Sequence, residues 1–488
     1  MYDTLLQDTI AVLPIVIVGV TSLIMVVVDS FWNDSKAIPV LAGVGLVGAL
    51  LWECFHFDQT GQAFFGQLIH GGFASYINIV ILLTAFFSFV LTAPYLERIR
   101  HHFGEVYSLL MLATAGMMTM ANANSLLTVF VGLETMSISL YVLTGLVRED
   151  IGSIEAAMKY FLLGAFATGF FVYGVALIYG ATHTLSFGLM AEGLHQYRLL
   201  LLFWAGVGLI LVGFLFKVSA APFHMWAPDA YQGAPTTISG FMATGSKAAA
   251  FAALILLLWR ALAFETLPWS EVLALVAALT MIVGNFLALV QRNAKRLLAY
   301  SSIAHAGYVL VGLAAGNPDG YSGALYYLLA YSLMTLGAFG VLAYLEWDGK
   351  VGREQTLDSL KGIGMRYPLL GVAMAFFMFS LLGFPPLAGF FAKYRVFLAA
   401  IRADMVWLAI LGVLTSIVSA GYYLKILWLM WMVPPEEALE KQEVQLPLGV
   451  RTALVVLALG LLVIGIWAPR VFDVTDGFFQ ISQAAFLM

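Results

Sequence analysis

A chain of 488 residues that is 62% hydrophobic and only 10% charged, with a mean hydropathy of +0.93, cannot cover a water-soluble globule, which ordinarily needs about a quarter of its residues charged. Its net charge of −5 is spread over short loops and says little about partners; no nucleic-acid partner is expected. The lone Cys54 excludes an internal disulfide, and with no Cys-x-x-Cys pair and no glycine-rich loop after a strand, iron–sulfur, zinc and nucleotide chemistry are not expected in this chain.

Apolar runs of about 20 residues, the length that crosses ~30 Å of hydrocarbon, recur along the sequence. They predict fourteen transmembrane helices near 10–28, 38–57, 74–93, 104–121, 125–145, 153–180, 199–230, 235–262, 270–291, 294–315, 319–346, 368–403, 404–431 and 449–468. The first follows Asp3 and Asp8 with no Lys or Arg before it, unlike the basic start of a cleaved signal peptide. The fold class is therefore an all-α polytopic membrane protein, a single membrane domain over 1–488 with hardly any credible strands.

Two segments, 199–230 and 368–403, are too long for one straight crossing, and both carry internal prolines. Each reads as a discontinuous helix: Pro222 removes the donor for the Val218 carbonyl, and Pro385 and Pro386 do the same for Leu381 and Leu382. Polar backbone at membrane depth is tolerated where it lines water. The stretch 183–197 is mildly amphipathic and fits the outer surface, and 432–448 reads as a solvated connector.

Orientation follows from loop cations. With the N-terminus outside, the inner loops hold Lys36, Arg98, Arg100, Arg148, Arg292, Lys295, Arg296, Lys350, Arg353, Lys361, Arg366, Lys441 and Arg451, against Arg198, Arg260, Arg402 and Arg470 outside. Both termini are thus expected on the outer side. Segments five helices apart share features: the fifth carries Glu134 and the tenth His305, while the seventh and twelfth are both proline-broken with a lysine. Because five is odd, the units would be inverted, repeat 1 over about 104–262 and repeat 2 over about 270–431, preceded by three helices at 10–93 and followed by a final one at 449–468.

Six basic residues remain within spans: Lys159, Lys217, Lys247, Lys393, Arg395 and Lys425; the clear mid-span acid is Glu134. Ionisable groups at that depth are costly, so Glu134, Lys217, Lys247 and Lys393 are candidate proton carriers beside the bland alternative of structural ion pairs. Lys159 lies four residues after Glu155, a spacing that equally fits a simple pair on one helix face. Lys425 is close enough to the inner end to snorkel, and Arg395, permanently charged, suits a structural or outer-interface role. His224 and His305 can shuttle protons through either ring nitrogen, or serve only as packing residues. His101-His102 lacks further ligand spacing and is not read as a metal site.

Several stretches closely resemble a known family. They are Gly132-Leu-Glu-Thr-Met-Ser, Lys159-Tyr-Phe-Leu-Leu-Gly-Ala, Phe216-Lys-Val-Ser-Ala-Ala-Pro-Phe-His-Met-Trp-Ala-Pro-Asp-Ala-Tyr-Gln-Gly-Ala-Pro, Ser246-Lys-Ala-Ala and Lys295-Arg-Leu-Leu-Ala-Tyr-Ser-Ser-Ile-Ala-His-Ala-Gly-Tyr. The sequence resembles subunit N of the bacterial NADH-quinone oxidoreductases (respiratory complex I), one of three antiporter-like membrane subunits related to Mrp-type antiporters. The resemblance covers essentially the whole chain. A lysine at position 393, where subunit M usually has glutamate, and no long C-terminal lateral helix both favour N over M and L.

What the resemblance implies is a non-redox subunit of a proton-translocating NADH:quinone oxidoreductase in a bacterial inner membrane. It would hold no cofactor itself; NADH, FMN, iron–sulfur clusters and quinone would sit in or at other subunits. Its partners would be lipid, a neighbouring antiporter-like subunit M and the small subunit K. The resemblance pairs Glu134 with Lys217, makes Lys247 the central lysine, and links Lys393 to outward release. The rivals are an Mrp-like cation/proton antiporter, an equivalent subunit of a related hydrogenase or NDH-type complex, and a structural scaffold.

Overall fold

The computed structural model describes residues 2–31, 37–99, 104–197, 199–262, 269–346, 355–435 and 446–485. The expectations for Lys36, Arg100, His101-His102, Arg198, Lys350, Arg353 and Lys441 lie outside the described residues. The chain opens with α1 (Tyr2–Ala11), α2 (Leu13–Phe31) and α3 (Ala37–Phe55), then a hairpin of β1 (Gly61–Ala63) and β2 (Leu68–His70). There follow α4 (Phe73–Arg98), α5 (Gly104–Ala121), α6 (Leu126–Thr144), α7 (Ile151–Thr182), α8 (Met190–Tyr197), α9 (Leu200–Lys217), α10 (Trp226–Gly233) and α11 (Thr236–Leu256). The second half holds α12 (Trp269–Leu289), α13 (Ala294–Ala314), α14 (Pro318–Tyr344), α15 (Ile363–Arg366), α16 (Pro368–Leu382), α17 (Ala388–Arg402), α18 (Val406–Met432), α19 (Leu448–Ile466) and α20 (Ala468–Ala485).

Among the described residues, twelve helices are long and apolar enough to cross a membrane. They leave out α5 and the pair α16 and α17, which occupy the expected segments 104–121 and 368–403: α5 is diluted by Ser108, Thr114 and Thr119, and α16 and α17 are only 15 residues each. Helix starts follow the local sequence. Ser125, Asp150, Asn293 and Asn317 each accept a hydrogen bond from a backbone N–H of the first turn, at 3.3, 2.9, 3.0 and 2.8 Å, satisfying donors that a helix start leaves unpaired. Gly383, at φ 89°, closes α16 in a left-handed conformation that suits glycine.

Burial orders the bundle. The span of α11 is completely buried and those of α13 and α14 are 94% and 89% buried, whereas α2 and α7 are 22% and 28% buried and face outward. Small residues permit the closest approaches. A Cβ at Gly132 would meet Gly116 O and Met120 N at 2.8 Å, so α5 and α6 cross with their backbones nearly touching.

Two elements differ from the sequence expectation. The strands pair antiparallel, Gln62 opposite Ile69, and dock on the end of α5 through Ile69 N to Asn122 O at 2.7 Å and Asn122 Nδ2 to Ile69 O at 2.9 Å. Three residues per strand are too few for a periodic signal. The chain also continues past the expected last helix into α20, whose polar face escaped a search for apolar runs. Arg395 pins it, reaching Asp476 at 2.7 Å and Asp319 at 2.9 Å. The 183–197 stretch forms a short turn and α8. Arg395→Ala should loosen α20 at a cost on the order of 1 kcal/mol, the range for a partly exposed ion pair; hydrogen exchange in 468–479 unchanged from wild type would refute this.

Candidate functional site

The chain leaves helical geometry between α9 and α10 and again between α16 and α17, and each interruption sits beside a buried lysine. At the first, the carbonyls of the last turn of α9 are taken locally: Leu215 O by Ala220 N at 2.8 Å, and Phe216 O by the Trp226 indole at 2.8 Å. Lys217, the last residue of α9 and 4% exposed, donates to Ser137 Oγ at 2.7 Å and Tyr141 OH at 3.3 Å. The Tyr141 and Tyr160 rings lie 5.4 and 5.8 Å from its ammonium, within range of cation–π attraction.

Glu134 is one turn before Ser137 on α6 and half-buried; its Oε1 accepts from Thr168 of α7 at 2.8 Å. The pairing expected of Glu134 and Lys217 is therefore indirect here. No ion pair joins them, and Ser137 occupies the lysine's best hydrogen-bonding position.

Lys247 lies at the middle of α11, 1% exposed, and donates to Ser302 O at 2.8 Å and to Ser302 Oγ. No carboxylate pairs with it among the described residues. Three residues along α13 from Ser302, His305 sits between two phenols, Nδ1 with Tyr327 OH at 2.7 Å and Nε2 with Tyr423 OH at 3.0 Å. Tyr423 OH also bonds Ser301 Oγ at 2.5 Å.

Lys393, on α17 and 6% exposed, completes the row. Its ammonium donates to Leu382 O at 2.9 Å and Ser416 Oγ at 2.7 Å and lies 4.9 Å from the Tyr308 ring. The Leu382 carbonyl is one that Pro386 deprives of its helical donor, so the break supplies an acceptor for the buried cation. A cavity of about 490 Å³ opens onto Lys393, lined by Leu382, Phe390, Tyr394, Phe397 and Ser416 among others. The two breaks are not alike: Lys217 precedes its interruption and Lys393 follows its own.

Lys217, Lys247, His305 and Lys393 are thus each buried and hydrogen-bonded, a row taken in chain order in which His305 stands near both Lys247 and Lys393, with Glu134 at the edge of the Lys217 site; Lys159 and His224 lie beside it. Lys159 is 45% exposed and bonds Glu155 at 2.8 Å and Asp229 at 2.9 Å, with Arg296 on the other oxygen of Asp229 at 2.5 Å. His224 lies half-buried in the interruption after α9, and its Nδ1 has no hydrogen-bond partner. Among the described residues no three His, Cys, Asp or Glu side chains converge as a metal ligand set would.

Three buried charges were missed. Lys295, expected in an inner loop, is fully buried at the start of α13. Glu346, at the end of its apolar run, is 5% exposed and pairs with it at 3.8 Å. Glu53, 6% exposed, accepts from Ser75 Oγ at 2.5 Å and Asn78 Nδ2 at 2.6 Å, a second acid besides Glu134 held inside the helix bundle. Each lies near a segment end, where hydropathy cannot tell a loop charge from a buried one.

Comparison with known proteins gives the row its context. The family described as NADH:quinone oxidoreductase/Mrp antiporter, TM, matches residues 123–419, which contain every residue of the row. NADH-quinone oxidoreductase subunit N of Salinibacter ruber is 51% identical over 492 aligned positions, covering 99% of this chain and 98% of that one. The chain belongs to the NADH-quinone oxidoreductase subunit N family. A chain of respiratory complex I from Thermus thermophilus superposes with a TM-score of 0.82 at 38% identity, covering 94% of this chain and 98% of its own. A chain of the Mrp complex from Dietzia shares the fold, with a TM-score of 0.85 at 19% identity over 96% of both chains.

Proposed function

We propose that this chain is the proton-translocating, non-redox membrane subunit N of an NADH-quinone oxidoreductase. The observation that carries the reading is four buried titratable residues, Lys217, Lys247, His305 and Lys393, each with a hydroxyl partner, in a member of that family. Lysine, histidine, serine and tyrosine can all pass protons, and electron transfer from NADH to quinone would take place in other subunits. Quinone reduction there would move Glu134 relative to Lys217. Bringing a carboxylate to about 4 Å from an ammonium changes the Coulomb energy by ~4 kcal/mol at an effective dielectric of about 20. That is enough to decide whether the amine holds or releases its proton. The proton would then pass to Lys247, along the Ser302 and His305 hydrogen bonds, and leave from Lys393.

The chain would cross a bacterial inner membrane fourteen times, with α9–α10 and α16–α17 each counted as one interrupted crossing and two five-helix units inverted. The excess of Arg and Lys on one side would place both termini outside. Subunit M and the small subunit K would be its neighbours. Lys159 and His224 would assist at the edge of the path. A free-standing cation/proton antiporter is less supported: the matching family description names Mrp antiporters beside NADH:quinone oxidoreductases, but the Mrp chain shares 19% identity against 51% for the subunit N relative.

The test is NADH-driven proton pumping in membrane vesicles containing the assembled complex. Glu134→Ala and Lys217→Ala should each lower it by about tenfold or more, the scale on which a positioned acid or base contributes. Pumping at the wild-type rate in both variants would refute the proposal.

A further inference from the structure

A second group of ionisable side chains is sealed inside the protein where α4, α11, α13 and α14 end together. Glu346 accepts from Tyr95 OH at 2.5 Å through Oε2 and from Thr236 Oγ1 through Oε1, while Lys295 Nζ stands 3.8 Å from Oε1. Lys295 also donates to Ala234 O at 2.5 Å, and Tyr95 OH accepts from Thr236 N at 3.3 Å. Arg98 bonds Tyr344 O at 2.7 Å at the rim. The Lys295 and Glu346 side chains are 0% and 3% exposed.

A clamp built only to hold helix ends gains little from such a pair, because removing two charges from water offsets most of their attraction. The group is also aimed at the row. Ser302, which holds Lys247, lies seven residues from Lys295 on α13, two turns along the same face and about 10 Å away. Thr236 opens the helix that carries Lys247, eleven residues or about 16 Å further on. The hydroxyls of Tyr231 and Tyr331 are buried beside Ser302. Ser239, on the first turn of α11, reaches back to Tyr231 O at 2.7 Å. Hydroxyls thus gather around Ser302 and Lys247, on the same two helices whose starts carry Lys295 and Thr236.

We propose that Glu346, with Lys295 as its fixed counter-charge and Tyr95 and Thr236 as its hydroxyl partners, is the site that loads Lys247 with protons from the adjacent membrane face. This rests on the translocating role proposed above. The Glu346 carboxylate takes a proton that enters from that face past the half-buried Arg98 at the rim and becomes the neutral acid. It then releases the proton into the hydroxyls of Tyr231, Tyr331 and Ser302, each of which accepts one proton and gives up another. The neutral amine of Lys247 receives it as an ammonium, and Glu346 returns to the carboxylate. Lys295 keeps its charge throughout, so the acid is never an isolated buried anion.

The test uses the complete complex in proteoliposomes, with pumping normalised to electron transfer from NADH to a hydrophilic acceptor, a reaction of other subunits. Glu346→Gln preserves shape and removes the proton site; it should lower pumping by about fivefold or more, within the range of a lost acid–base group. Glu346→Asp should pump with a displaced pH profile. Wild-type pumping with Glu346→Gln would overturn the proposal, as would a wild-type pH profile with Glu346→Asp. Equal loss of the subunit from the complex in both variants would also overturn it, in favour of a clamp. Glu134→Ala run alongside separates the two failures: if it impairs pumping while Glu346→Gln does not, only the loading site falls.

Discussion

Lys247→Ala should lower NADH-driven proton pumping by a factor of about a hundred, and Lys247→Arg should do nearly the same. The position is at the centre of a completely buried helix, 1% exposed, and among the described residues its ammonium bonds Ser302 alone. A lysine so placed can be neutral or charged according to what stands near it. Arginine holds its proton permanently and would interrupt the path while keeping the charge. The alanine also leaves a gap beside Ser302, but alanine is abundant along α11, with Ala248, Ala249 and Ala250 following directly, so the helix itself should persist. Pumping assays on purified, fully assembled complex decide the matter. Lys247→Arg activity within about twofold of wild type would show that charge, rather than proton exchange, is what the position supplies.

Gly132→Leu should prevent stable assembly altogether. The crossing of α5 and α6 leaves no room for a side chain: a Cβ at Gly132 would meet Met120 N and Gly116 O at 2.8 Å, and one at Gly116 would meet Met136 N at 2.5 Å. The nearest atoms are backbone, so relief needs movement of whole helices rather than a rotamer change. Overpacking of this kind costs about 3 kcal/mol or more, with Gly132→Ala milder. Because Glu134, Ser137 and Tyr141 all ride on α6, any displacement would carry the Lys217 partners with it. Thermal unfolding in detergent and recovery of the subunit in the complex report the outcome. A Gly132→Leu protein with wild-type melting and yield would contradict the packing argument.

The contrast between Lys247 and Lys295 shows how far local sequence reaches. Both are lysines beside serine- and alanine-rich helix, yet Lys247 announces itself because an unbroken apolar run, Ala248 to Trp259, follows it, whereas Lys295 follows Gln291, Arg292 and Asn293 and looks like a loop residue. Tertiary structure buries it by bringing Ala234 and Glu346 over it, 61 residues before and 51 after. The same holds for Tyr95 and Glu346, hydrogen-bonded across 251 residues. Lys159, four residues after Glu155, fits either a functional site or a simple pair on one helix face from sequence alone; α7 faces outward over most of its length, and the amine meets Glu155 and Asp229 at the surface.

The sequence by itself determined that this is a helical membrane protein, and it set prolines beside Lys217 and Lys393 and placed Glu134, Lys217, Lys247, His305 and Lys393 as charges or titratable groups within apolar segments. These follow from local quantities: run length, proline chemistry and the energetic penalty of an ion in hydrocarbon. Only the tertiary structure decided what each group touches: Ser137 rather than Glu134 on Lys217, Ser302 on Lys247, phenols on both nitrogens of His305, and the freed Leu382 carbonyl on Lys393. It also decided that Lys295 and Glu346 are sealed inside. The reason is physical: hydropathy measures the cost of placing a charge, whereas the hydrogen bonds that offset this cost come from helices distant in sequence, and no local pattern encodes which of them will arrive.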